Sequence, residues 1–385
     1  MSPGRGAPLR LALIRQKYNP FGGAERFIER AFDSLATGMG VELSIIARQW
    51  MERPGVRFLQ CDPPYRTSMG RDKSFALAVT ALLAAEAGHF DVVQSHERIP
   101  GIMLYRAGDG VHATWLEQRA RATPAFRRFA IAANPYHRFV LEQERTMFAD
   151  PLLRTVICNS TMVRDDIAAR FGVDPDVLVV IHNGVDLECF HPRNRAAREV
   201  QREALGIPAG APLFLFAGSG FERKGVARLL EALALAPAGA HLVIAGEDKH
   251  LRRFRARADK LGLAKRVRFL GGRDDLPALY GAADAFVLPT LYDPMPNAAV
   301  EALACGLPVV TSHSCGAREF IGEGENGFLV DALDVAGLAQ SLARLCEPGR
   351  AAAMAEAARA SVCQLSPDAM AAKLVALYES LRLSG

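Results

Sequence analysis

Residues 288–312 read LPTLYDPMPNAAVEALACGLPVVTS and carry two carboxylates eight positions apart, Asp293 and Glu301. An ionised acid accepts hydrogen bonds from two neighbouring hydroxyls at once, which suits the vicinal oxygens of a sugar or a ribose. Asp293 falls in a loop after an apolar run. Pro296 fits a first helical turn, Glu301 follows about a turn later, and Gly306 with Pro308 stops the helix. One acid thus precedes a helix N-terminus and the other rides on the helix. A ligand whose phosphates cap the amides near Asn297 and Ala298 would lie beside both. The plainer alternative is that Asp293 caps the helix and Glu301 pairs with a surface cation.

A second stretch, AGSGFERKGVARLLEAL at 217–233, sets Arg223 and Lys224 in a glycine-rich turn between an apolar run and a helical pattern. Two cations there could hold a diphosphate, Arg with a bidentate grip and Lys as a compact point charge. A solvated basic loop is the competing reading. Near the start, NPFGGAER (19–26) repeats the arrangement. Gly22 and Gly23 stand between the apolar LRLALI (9–14) and a helical spacing of Phe27, Ile28, Ala31, Phe32 and Leu35. Free backbone N–H groups and the positive end of the helix dipole meet at such a junction, and glycine lets phosphate oxygens come close. A tight turn alone would also explain the pair.

These residues need strands and helices to carry them. Strand candidates are 10–14, 41–47, 91–95, 155–159 and 178–183, then 213–218, 241–246, 266–271, 285–290 and 308–312. Nearly all are continuous apolar runs, as in parallel strands covered on both faces, and they alternate with helical patterns. The chain, at 385 residues, exceeds what one core organises. A polar stretch after HNGVD breaks the series. The expected layout is a first domain over 1–190, a linker over 191–211, a second domain over 212–365, and a terminal helix over 366–385 returning to the first. Both domains read as α/β, doubly wound and Rossmann-like, facing across a cleft with the chemistry at the strands' carboxyl ends.

Composition narrows the classes. Half the residues are apolar, and the formal net charge of +4 argues for no particular partner when averaged over the chain. Seven scattered cysteines include no CxxC pair, so buried reduced thiols are expected rather than disulfides or zinc. No apolar run approaches the roughly 20 residues that span a bilayer. The first residues lack a signal-peptide core, so a cytoplasmic protein is expected.

Taken in order, GG after the first strand, NGVD at 183–186, RKG after the first strand of the second domain, and Asp293-x7-Glu301 with EALACGLPVV resemble the retaining, nucleotide-sugar-dependent glycosyltransferases of family four and the GT-B fold. The resemblance covers nearly the whole chain. KYNPFGGAER, GSGFERKGVARLLEAL and GGRDDLPALYGAAD are most similar to the bacterial lipopolysaccharide core α-glucosyltransferases that act on heptose. The resemblance implies that Gly22 and Gly23 admit the donor diphosphate and that Arg223 and Lys224 neutralise it as the nucleotide leaves. It implies that Asp293 contacts the donor sugar, Glu301 binds the ribose, and Gly272 with Arg273 flank the base. It implies front-face displacement with retention, no cofactor, and UDP-glucose as first co-substrate. Three departures stand out: Asp293 where the family commonly has Glu, Gly218-Ser219 where it has Gly-Arg, and PMPN after the first acid. They bear on which sugar is transferred.

On the acceptor side, QSHERIPG (94–101) and RAGDGVHATW (106–115) each follow a strand-like run. That brings His96, Asp109 and His112 to the same face, where one of them positions or deprotonates the acceptor hydroxyl. The resemblance favours Asp109. A structural histidine is the ordinary alternative for His96 and His112. Residues 115–148 hold six arginines against three glutamates, interleaved with Trp115, Phe126, Phe129 and Phe139. Such a surface suits an anionic membrane face and hence a glycolipid acceptor at the inner membrane; helices packed on the sheet with solvated arginines are the alternative. No nucleic-acid motif accompanies the charge. Asp174-Pro175-Asp176 matches a metal-binding Asp-x-Asp literally but reads as a turn, so no metal is expected. An NAD-dependent oxidoreductase is disfavoured because Arg223 stands where the dinucleotide fingerprint needs a small residue. A non-catalytic nucleotide-sugar-binding module remains the other alternative.

Overall fold

The computed structural model describes residues 8–16, 40–50 and 54–383. The chain forms two compact units, Met1–Gly184 with Pro367–Gly385, and Val185–Ser366. In the first, the apolar runs become β1 (Leu9–Ile14), β2 (Val41–Ala47), β3 (Val56–Gln60), β4 (Val92–Ser95), β5 (Leu104–Ala107), β6 (Thr155–Cys158) and β7 (Leu178–Val180). They pair in the order β3-β2-β1-β4-β5-β6-β7. The second unit holds β8 (Leu213–Ala217), β9 (His241–Ala245), β10 (Val267–Gly271), β11 (Ala285–Leu288), β12 (Val309–Ser312) and β13 (Gly327–Val330). Their order is β10-β9-β8-β11-β12-β13.

Every described pairing between these strands is parallel. Parallel neighbours require crossover connections, and the helices that supply them cover both faces; β6, β8, β9 and β11 are buried throughout. Strand order reverses between β1 and β4, and again between β8 and β11. At such a switch point the loops leaving two adjacent strands diverge to opposite faces and open a crevice for ligand.

The 191–211 stretch is not a linker. The second unit begins at Val185, so the expected boundaries at 190 and 212 both move. Pro192–Ala197 forms a 3-10 turn and Arg198–Ala204 a helix. Arg198 donates to the carbonyls of Ala282 (2.8 Å) and Ala283 (2.9 Å) and to Asp284 Oδ1 (2.6 Å), while the buried Arg202 donates to Ala282 at 3.1 Å. These arginines satisfy the open carbonyl end of the helix Leu276–Ala282. Backbone contact is close enough that a Cβ on Gly281 would lie 2.2 Å from Asn194 O. The polarity that suggests a solvated linker is therefore the packing chemistry of this segment.

The helix Pro367–Leu383 lays Met370, Leu374, Tyr378 and Leu381 against Leu9, Leu11, Leu13 and Leu43 of the first sheet. Seven cysteines are free; four are buried, but Cys189 and Cys363 are exposed and Cys346 is half-buried, so burial is not general. Among the described residues no helix is long and apolar enough to cross a membrane.

Candidate active site

The loops leaving β8 and β11 are locked together. Gly225 has φ +78°, and a Cβ there would sit 2.0 Å from Pro289 O, so only glycine permits this approach. Leu291 N donates to Arg223 O at 2.8 Å and Thr290 Oγ1 to the same carbonyl at 3.1 Å. The clamp brings cations to an acid 69 residues away: Lys224 Nζ lies 2.9 Å and Arg223 Nη1 3.3 Å from Asp293 Oδ2. Arg223 Nη1 also donates to Tyr292 O at 2.8 Å. The Asp293 backbone is held on both sides, its N–H donating to Ser314 O (3.2 Å) and its carbonyl accepting from Gly316 N (2.8 Å).

Lys224 and Asp293 are 9% and 6% exposed. Burial works to raise the Asp293 pKa, but the charges of Lys224 and then Arg223 outweigh it and hold the carboxyl below the usual range. Two cations against one acid leave a net positive charge at the end of β8, which is what an entering diphosphate needs. The helix Asn297–Ala304 starts after Pro296 with no side-chain cap, so Asp293 is not its cap. Glu301 is 1% exposed, and its Oε2 lies 3.3 Å from the Tyr280 hydroxyl, which also donates to Ala298 O at 3.0 Å. Neither structural alternative for the two acids holds. Asn297 and Ala298 open that helix and are partly exposed.

The turns after β9 and β10 adjoin this group. A Cβ on Gly246 would lie 2.1 Å from Gly218 O, and Asp248 Oδ2 accepts from Phe221 N at 2.8 Å. Gly272 stands beside Glu247 at the end of β10. Arg273 forms a bidentate pair with Asp275 (2.7 and 2.5 Å) on the exposed loop, apart from the Arg223–Lys224–Asp293 group. Asp174 accepts from Asp176 N within a short 3-10 turn.

In the first unit, Gly22 and Gly23 lie outside the described residues. Around the β1–β4 switch point, Arg15 Nη1 is 3.5 Å from Glu97 Oε1 and 3.6 Å from Asp109 Oδ2. The Asp109 side chain is 57% exposed. His96 is buried, with Nε2 2.9 Å from Gln94 Nε2. His112 turns its Nε2 toward His137 Nδ1 at 3.1 Å. Burial, then the charges of Arg98, His137 and Arg119, push His112 down to about 3. Both histidines are thus neutral and internally engaged, whereas the Asp109 carboxylate is exposed and paired with Arg15.

Several contributors escaped the sequence reading. Glu144, one of the three glutamates of 115–148, is buried: its Oε1 accepts from Arg98 Nε (2.9 Å) and His112 N (2.7 Å). Arg98 also donates to Gly110 O at 3.0 Å, tying the Asp109 loop to the helix Pro135–Phe148. A Glu among arginines reads as surface charge, and its partner lies 46 residues earlier. Within the same segment the helix Ala125–Ala132 buries no residue, and Phe126 and Phe129 are 79% and 80% exposed beside Arg127 and Arg128.

Residues 21–189 match the family model described as Glycosyltransferase Family 4, and residues 197–361 match Glycosyl transferases group 1. The lipopolysaccharide glucosyltransferase WaaG of Escherichia coli K12 is 28% identical over 331 residues, covering 83% of this chain and 84% of that protein. The D-inositol 3-phosphate glycosyltransferase of Xylanimonas cellulosilytica is 31% identical over 350 residues, covering 85% and 82%. A crystal structure of WaaG, a glycosyltransferase involved in lipopolysaccharide biosynthesis, superposes with a TM-score of 0.82 at 25% identity over 96% of this chain and 99% of that one. The chain belongs to the family-four glycosyltransferases and has their GT-B fold of two Rossmann-like domains.

Proposed function

We propose that the protein transfers a hexose, glucose first, from a uridine diphosphate sugar to a lipid-linked saccharide of the lipopolysaccharide core type, with retention and without a metal. The observation that carries this reading is the Arg223–Lys224–Asp293 group at the carboxyl ends of β8 and β11. Its surplus positive charge faces what a departing nucleoside diphosphate requires. In this reading Asp293 holds a sugar hydroxyl, Glu301 the ribose, and the amides of Asn297 and Ala298 the phosphates. Gly272 and Arg273 border the base.

The step breaks the bond from the anomeric carbon to the phosphate oxygen and forms one to the acceptor oxygen on the same face. The acceptor proton leaves through Asp109, or directly to the departing phosphate oxygen. Asp109 is preferred to His96 and His112 because it is the exposed carboxylate of the three. The bare Phe126 and Phe129 beside arginines support a first unit resting on an anionic membrane from the cytoplasmic side. Similarity to the Escherichia coli lipopolysaccharide glucosyltransferase supports glucose as the sugar and the acceptor class. A second acceptor, a phosphorylated inositol, is favoured by the 31% identical relative.

The test is turnover of UDP-[14C]glucose with a truncated lipopolysaccharide core and, separately, with inositol 3-phosphate. Product with an α linkage in the presence of EDTA is expected for the core acceptor. Saturable donor binding without transfer to either acceptor would make the protein a binding module, and a tenfold loss with EDTA would refute metal independence.

A further inference from the structure

The twenty residues 249–268 hold nine Lys and Arg and one acid, Asp259, a formal +8 in a chain whose total is +4. They run from the turn after β9 through the helix Leu251–Lys260 into β10. Phe254 and Ala258 turn inward and are buried, while Lys249, Arg252, Arg253, Arg255, Lys260 and Lys265 are exposed. Arg253 and Lys260, seven positions apart, lie on one stripe of the helix.

Folding does not explain these charges. Arg252 and Arg253 fall in the first turn, at the positive end of the helix dipole, and no acid in that turn offsets them. Arg252 with Arg255, and Arg253 with Arg257, set like charges one turn apart, which weakens a helix. Only Lys260, in the last turn, stands where the dipole favours a cation. Arg257 is paired with Glu231, which Arg228 also holds at 2.9 Å. The two acids before the helix are directed elsewhere. Glu247 stands beside Gly272, and Asp248 accepts from Phe221 N at 2.8 Å and from His250 N at 2.7 Å. Among the described residues the side chains of Lys249, Arg252, Arg253, Lys260 and Lys265 meet no hydrogen-bond acceptor.

Cations kept at a cost to their own helix call for an anion from outside, and what the patch lacks narrows that anion. Its only uncharged exposed side chains are His250, Ala256 and Ala264. No aromatic ring is open for a base to stack on, because Phe254 is buried and Phe269 lies half-buried beneath Arg255, 6.0 Å from the guanidinium carbon. No large apolar side chain offers the anchor around which a protein interface is built. A diffuse anionic surface needs neither, since each Lys or Arg near charged headgroups contributes on its own. We propose that the helix Leu251–Lys260, with Lys249 and Lys265 flanking it, docks the second unit electrostatically on an anionic lipid bilayer. This surface belongs to the other unit from the helix Ala125–Ala132, and it requires neither sugar donor nor acceptor.

The experiment sediments the full chain, without nucleotide sugar, with vesicles of phosphatidylcholine alone and with vesicles containing about 30% phosphatidylglycerol. Wild type is expected to bind the anionic vesicles far more tightly and to lose that preference in high salt. Arg252→Gln with Arg253→Gln should lower the partition coefficient on anionic vesicles at least tenfold, each cation being worth about fivefold. The same pair should leave the melting temperature unchanged or raised, because it relieves the first turn. Introduced on a Phe126→Ser, Phe129→Ser chain, it should have the same effect with the first unit's aromatics removed. Equal partition of wild type and the double variant overturns the proposal, as does a wild type with no preference for anionic vesicles. A lowered melting temperature shows that the arginines serve the fold and overturns it as well. Tighter binding to single-stranded poly-uridylate than to anionic vesicles at the same salt makes nucleic acid the partner and overturns it too. Charge-dependent vesicle binding by a protein that turns over no nucleotide sugar upholds the docking surface and refutes the transferase reading alone.

Discussion

The carboxyl ends of the two sheets are built to opposite designs. In the second unit, Lys224, Asp293 and Glu301 are nearly dry, and Asp293 neutralises part of the charge of Lys224 and Arg223. In the first unit the Asp109 carboxylate stands at the surface with Arg15 at 3.6 Å, and both histidines are held neutral by their surroundings. The difference is where preorganisation is spent. Charge that must stabilise a leaving group is fixed beforehand in a low-dielectric wall, because reorganising it during the step would raise the barrier. Under the proposed function, a group that meets a variable acceptor hydroxyl can remain solvated.

The largest expected effect breaks the comparison at its dry side. Lys224→Ala should lower turnover about 10²-fold, roughly 3 kcal/mol of barrier, with the melting temperature of the ligand-free protein changed far less than activity. Unchanged initial rates would remove the second unit's cations from the reaction. Next in size, Glu301→Gln should weaken donor binding about tenfold by calorimetry, since a neutral amide loses the charge-assisted contact to paired hydroxyls. An unaltered dissociation constant would assign Glu301 to the packing around Tyr280 alone.

The smallest effect sharpens the contrast in the first unit. An unfolded histidine titrates near 6.5, whereas His112 is pushed to about 3 when folded. Between those values the unfolded chain binds a proton that the folded chain does not, so stability present above pH 6.5 is lost as pH falls through this window. His112→Asn should make the decline in melting temperature from pH 7 to pH 5 shallower. Parallel declines in both proteins would show that His112 carries no such linkage.

How much of this the sequence discloses depends on range. Continuous apolar runs such as LFLFA and HLVIA announce strands covered on both faces, and the residue types at their ends announce anion chemistry. β3 and β13 are harder: VRFLQ lies half-exposed at an edge, and GFLV is four residues opening on glycine. The loops that carry Arg223, Lys224 and Asp293 are legible one by one, but their meeting depends on strand order, which places β11 beside β8 across two intervening strands. Burial that inverts a residue's meaning is hidden in the same way. Glu144 reads as solvent charge until Arg98 arrives from 46 residues upstream, and the arginines of 195–202 read as a linker until they meet the end of a neighbouring helix.

The division of the chain into units also orders its biosynthesis. Residues 185–366 are one uninterrupted segment, entered and left at adjacent points where Val185 N donates to Leu365 O at 2.7 Å. That unit can finish folding as soon as it clears the ribosome. The other starts earlier in the chain yet lacks its covering helix until residues 367–383 emerge, so its leucine-lined sheet face stays uncovered while the whole second unit is made.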